Sequence, residues 1–146
     1  MLAKRLRAIS LVLVSFSLVG CTTLAPMQLS VMDGRLSVAF CQSSAFSEFE
    51  VLQSQGAKGV EEEWVVVANA DEPFEVKAND VLTVGTSDVL LVGPSDVQLK
   101  SSADLSVEFE RDGAGFDNPL FPLPSEGLQE GVWLRSDGST ASMPCG

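Results

Sequence analysis

The 146-residue chain contains no histidine and no tyrosine. Without imidazole there is no Ser-His-acid or Cys-His catalytic set, no histidine ligand for zinc, and no side chain that is ordinarily a base near neutral pH. The missing phenol removes a further proton donor. Neither a Gly-x-Ser-x-Gly elbow nor a Ser-x-x-Lys arrangement occurs in the sequence. Carboxylates remain, and a glycosidase pair is built from that residue type. Such clefts sit on larger scaffolds with aromatic platforms, whereas aromatics make up only 7% of this chain. The expectation is a protein that is not an enzyme and carries no cofactor, with a small carboxylate-based hydrolase as the catalytic alternative.

Positive charge is also scarce, with nine Lys and Arg against twenty Asp and Glu and a net charge of −11. Phosphate backbones are repelled by such a surface, so nucleic acid is not expected as a partner. Anionic lipid is disfavoured for the same reason. Solubility is the ordinary use of this acidity, and attraction of a basic partner is the alternative. Long apolar runs are missing too. The stretch from Ala8 to Val19 falls well short of the roughly 20 residues that span a bilayer.

That stretch is nevertheless informative because of its borders. Lys4, Arg5 and Arg7 precede it, and Leu18-Val19-Gly20-Cys21 closes it with small residues and a cysteine. The flanks and length are those of a secretory signal. The segment resembles bacterial lipoprotein precursors, whose lipobox runs from Leu through small or aliphatic residues to Gly or Ala before a Cys. The resemblance implies that residues 1–20 are a signal peptide, helical during export, cut between Gly20 and Cys21. It implies a diacylglyceryl thioether on Cys21 and fatty acylation, such as palmitate, of the new amino group. One acyl chain holds a bilayer only marginally, at roughly 0.8 kcal/mol per buried methylene, while two or more hold it stably. Cys21 would then be the whole anchor, on the extracytoplasmic side of a bacterial membrane. Thr22, where an Asp would favour inner-membrane retention, leans toward the outer membrane in a two-membrane host. The resemblance covers the first 21 residues and implies nothing about the fold that follows.

Residues 21–146 hold six basic and twenty acidic residues, a net charge of −14. Their number suits one domain with a real core, read here as a tether over 21–26 and a body over 27–146. With Cys21 consumed by lipid, Cys41 and Cys145 are left as an even pair in an oxidising compartment, and a disulfide is expected between them. Two free thiols or a metal pair are the rivals, but no His and no further Cys exist to complete a metal site.

Asp33-Gly34 tolerates positive φ and predicts a type I′ hairpin in which Val31 faces Leu36, Leu29 faces Val38 and Met27 faces Phe40. Gln28, Ser30, Ser37 and Ala39 fall on the other side. Phe49 and Val51 alternate with Glu48 and Glu50; Trp64 to Ala68 is a continuous apolar run. Phe74, Val76 and Ala78 alternate with Glu75 and Lys77, and Leu105, Val107 and Phe109 with Ser106 and Glu108. Asp80, Asp88, Asp96, Asp104 and Asp112 recur at a near-octad spacing, read as short strands whose Asp residues cap turns rather than as a solenoid. From Gly113 to Gly131 the chain is Pro- and Gly-rich and expected to be extended. A strand over Val132–Arg135, a tight turn at Asp137-Gly138 and a return strand over Thr140–Cys145 complete the reading. The fold class is all-β: an antiparallel sandwich, immunoglobulin-like, or a small barrel.

Four further features invite a function. Asp112, Asp117 and Asn118 bracket a glycine-rich stretch similar to a calcium loop, though a single copy reads more simply as a turn, so no metal site is expected. Glu61, Glu62 and Glu63 suit a solvated loop or a basic partner. Leu120, Phe121 and Leu123 either bare an apolar patch or lie across an open sheet edge, and the latter is favoured. Trp64 and Trp133 are expected in the core. The functional expectation is a membrane-anchored extracytoplasmic lipoprotein, a non-catalytic binding or accessory module with an envelope protein as partner. The alternative is a structural envelope protein with no specific ligand.

Overall fold

The computed structural model describes residues 24–55, 63–93, 99 and 103–146. The signal segment, Gly20, Cys21, Thr22, Glu61, Glu62 and Asp96 lie outside the described residues. Within them all regular structure is strand: β1 (Met27–Met32), β2 (Arg35–Phe40), β3 (Ser44–Ser54), β4 (Trp64–Asn69), β5 (Phe74–Val76), β6 (Asp80–Thr83), β7 (Leu91–Val92), β8 (Leu105–Arg111), β9 (Gly115–Asp117), β10 (Leu120–Phe121), β11 (Trp133–Leu134) and β12 (Thr140–Ala141). They form two antiparallel sheets, ordered β12-β11-β1-β2-β6 and β10-β8-β3-β4-β7, with β5 on β3 and β9 on β8. One cluster of buried side chains joins Met27, Leu29, Val38 and Phe40 of the first sheet to Phe46, Phe49, Val51, Val107 and Phe109 of the second. The architecture is a β-sandwich.

The β1–β2 hairpin has the register its alternation demands: Met27↔Phe40, Leu29↔Val38 and Val31↔Leu36. Asp33 (φ 51°) and Gly34 (φ 73°) both occupy the left-handed region that a type I′ turn requires. The carboxylate of Glu130 accepts hydrogen bonds from the amides of both turn residues. The opposite face of this hairpin is covered as well, with Gln28, Ser30, Ser37 and Ala39 all buried. Leu29 pairs with Leu134, so one rung on, Trp133 lies level with Ser30 on the outer face. Its other neighbour is Ala141. Small residues on both sides leave room for the indole, which is 4% exposed yet lies outside the main core cluster. Trp64, by contrast, is half-buried at the start of β4.

The stretch from Gly115 to Phe121 is the edge strand of the second sheet. β9 and β10 pair with β8 in one continuous register, Phe109↔Asp117 and Ser106↔Leu120, and the Val107 amide donates to the Pro119 carbonyl between them. Proline has no N–H to return, so one rung is missing and the strand divides there; the edge is where a sheet tolerates this. Phe121 is fully buried and Leu123 packs against the core, while Leu120 stays exposed. The strap does lie along a sheet edge.

Two sequence expectations shorten. Asp137-Gly138 is not a two-residue turn: Arg135 N–H donates to the Ser139 carbonyl, and Gly138 alone takes positive φ. The Asp137 carboxylate accepts from the Ser139 hydroxyl (2.6 Å) and amide (2.8 Å), which stabilises the wider loop and holds its carboxyl below the usual range. The return strand stops at Ala141 rather than running to Cys145, which at φ 59° is turned away from strand geometry and bonded to Cys41. Asp80 behaves as expected, its carboxylate accepting the Lys77 amide just where β6 starts.

Candidate functional site

The two ends of the sandwich differ in chemistry. At the end where Pro26 leads into β1, Phe40, Phe46, Phe49, Phe74 and Phe109 form a continuous aromatic cluster, with neighbouring ring centroids 5.2–6.5 Å apart. Cys41 and Cys145 are disulfide-bonded at the same end, the Cys41 amide donating to the Pro26 carbonyl. Arg111 lies over the Phe109 ring, its ζ carbon 5.6 Å from the centroid. This end is closed.

The other end, at the hairpin tip, is open. A cleft of about 870 Å³ enters between the sheets there. Val31 and Leu36 of the hairpin, with Val84 just after β6, form one wall. Val67 of β4, Val92 of β7 and Leu99 form the second, and Leu123 and Leu128 the third. Among the described residues every apolar side chain in this lining is aliphatic. Gly93 fixes the second wall: its amide donates to the Val67 carbonyl, and a β carbon there would lie 2.3 Å from the Val66 carbonyl oxygen, so any side chain would push β7 off β4. The volume falls within the roughly 300–1,000 Å³ of small-molecule sites.

Charge at the mouth is unequal in its engagement. Glu126 lines the cleft and its carboxylate accepts the Ser125 hydroxyl at 3.0 Å. Glu130 is bound to the hairpin turn. Arg35 also lines the cleft, with its Nη1 beside Gly85, where an added β carbon would come within 3.9 Å. Gly85 has φ 75° and no side chain to obstruct the guanidinium. Among the described residues Arg35 makes no side-chain hydrogen bond and no ion pair.

The outer face of the second sheet carries a second charge feature. Glu48 pairs directly with Glu110, and Glu50 with Glu108. Like charges directly opposite each other destabilise a sheet by a few tenths of a kcal/mol to about 1 kcal/mol. A Glu108→Lys substitution should therefore raise stability by about 0.5–1 kcal/mol at low salt, read as a higher urea midpoint with unchanged slope, and the gain should shrink in high salt.

The residues that suggested calcium are not assembled. The glycine-rich stretch is a β-hairpin, with Asp112 at its tip and Asp117 two rungs beyond the closing Arg111↔Gly115 pair. Asp117 accepts the amide of its own neighbour Asn118. No group of three or more His, Cys, Asp or Glu suited to a metal exists among the described residues. Glu63 is exposed, with its carbonyl accepting the Gln55 amide. No helix among the described residues is long and apolar enough to cross a membrane. Sequence reasoning missed the cleft, whose walls come from segments distant in the chain. No known family matches the chain, nor does any curated protein or solved structure.

Proposed function

We propose that this chain is a lipid-anchored, extracytoplasmic binding module that acts without catalysis, using the aliphatic cleft at its hairpin end. The observation that carries the reading is the polarity of the sandwich. The chain enters β1 at the aromatic, disulfide-closed end, and the cleft opens at the far end of the same strand. Six strand residues put about 17–20 Å between them. A short tether from an acylated Cys21 then holds the closed end toward the lipid and turns the cleft to the aqueous side. The acidic body remains in water and adds no affinity for anionic headgroups.

A Val92→Trp substitution tests the reading. Val92 lines the cleft yet is 65% exposed, so the indole can obstruct the opening without disturbing the core. Purified from crosslinked membranes, the wild-type protein should carry one stoichiometric companion, small molecule or protein, that the Val92→Trp protein lacks. A wild-type protein without any companion would favour the purely structural envelope role.

A further inference from the structure

We infer that the ligand of this cleft is a long-chain carboxylate, its hydrocarbon tail between the sheets and its headgroup on Arg35. The inference rests on the binding-module reading and specifies its ligand. Three observations carry it.

The first is the lining, in which Leu36, Val84, Leu123 and Leu128 offer aliphatic surface and, among the described residues, no aromatic ring enters. Sugars and flat heterocycles are held on aromatic platforms, and the five clustered phenylalanines of this fold are all at the opposite end. A flexible alkyl chain needs only apolar walls and gains about 0.8 kcal/mol for each methylene removed from water in any of them.

The second is charge complementarity. Glu126 is engaged with Ser125 and Glu130 with the turn amides, whereas the Arg35 guanidinium has no hydrogen-bond or ion-pair partner among the described residues. Its planar fork matches a carboxylate with two parallel hydrogen bonds. A single monovalent head suits this site, because the rest of the surface is acidic and would oppose a more highly charged phosphate.

The third is access. Arg35 is exposed, and Gly85 beside its Nη1 has no side chain to stand between the guanidinium and the opening. Glu130 meanwhile holds the hairpin turn beside Arg35, which fixes the base of its side chain.

The test uses the full acylated protein in phosphatidylcholine vesicles with a photoactivatable palmitate analogue carrying a diazirine near its methyl end. Mass spectrometry should map crosslinks to Leu36, Leu123 and Leu128, competed by palmitate. Loss of a charge-assisted hydrogen bond costs about tenfold or more in affinity, so Arg35→Gln should weaken palmitate competition by about tenfold. Arg35→Lys should lose less, and hexadecanol, which lacks the charge, should compete equally against wild type and Arg35→Gln. Val92→Trp should abolish the cleft crosslinks. Crosslinks spread over the surface, or competition indifferent to Arg35, would overturn the inference. If the cleft takes no palmitate but the companion lost in Val92→Trp persists, the carboxylate assignment fails and the binding module stands. If both are absent, both fail.

Discussion

Replacing Cys41 and Cys145 together by alanine should lower the stability of the folded body by about 3–5 kcal/mol, measured as a fall in urea midpoint at nearly constant slope. The bond spans 104 residues of sequence. Closing a loop of that size removes conformational freedom from the unfolded chain worth about 4–5 kcal/mol. Hydrogen bonds also hold the tail and offset part of this loss. Cys145 donates its amide to Gln28 Oε1 at 3.0 Å, and Arg135 Nη2 donates to the Gly146 carbonyl at 2.8 Å. These contacts lay the last residues over the outer face of β1, where Gln28 is buried. With the bond gone the tail would be held only by single hydrogen bonds of about 1 kcal/mol each and by the two rungs between β11 and β12. Hydrogen exchange should therefore rise first at β12 and around Gln28, while the Asp33-Gly34 hairpin keeps its protection. Dithiothreitol should reproduce the loss in the wild-type protein and leave the double variant unchanged. A shift below about 1 kcal/mol would mean that the tail is held by packing alone.

The strands with strict alternation were legible because one side chain in two must leave water. Met27 to Phe40 specified its own partner, turn and register, and a slip of one residue would have reversed every pair. Phe49 and Val51 between glutamates, and Leu105, Val107 and Phe109 beside them, were equally plain. What escaped were features set by the third dimension. The outer face of β1 and β2 is polar or small and reads as exposed, but Trp133, from more than ninety residues on, covers part of it. The segment from Gly115 to Phe121 reads as extended chain at a sheet edge, but its pairing partner β8 and the rung kept by the Pro119 carbonyl, which accepts from Val107, show only in the fold. The paired glutamates show on each strand as ordinary outward residues, and their opposition needs the register of β3 on β8.

The site was legible in pieces of unequal size. The two cysteines could be paired by counting, once the third was assigned to lipid. Asp112, Asp117 and Asn118 looked similar to a cation loop because six residues of spacing permit convergence, but a hairpin draws the same residues out along two strands. The cleft has no local signature at all. Its aliphatic residues look like core positions in each segment, and only the failure of the two sheets to close at the hairpin end leaves them lining a space.

A Cys21→Ser protein should lose its fatty label entirely and accumulate as a precursor longer by residues 1–20, seen on gels after growth with radiolabelled palmitate. On the proposed anchor the chemistry allows no partial result, because the serine hydroxyl is far less acidic than a thiol and forms no thioether. The physical consequence is larger than any substitution in the body. Two or three acyl chains give stable anchoring at roughly 0.8 kcal/mol per buried methylene, and a surface of net charge −14 offers nothing to replace them. The uncut precursor would keep the apolar stretch from Ala8 to Val19, which falls short of the roughly 20 residues that span a bilayer. It should therefore wash from membranes with carbonate or salt far more readily than the wild-type protein. The folded body should be unaltered, with the Cys41–Cys145 bond formed, because that bond and the hairpin it neighbours make no use of residue 21. Unchanged acylation and processing in the Cys21→Ser protein would refute the anchor, and the proposed outward orientation of the cleft would go with it.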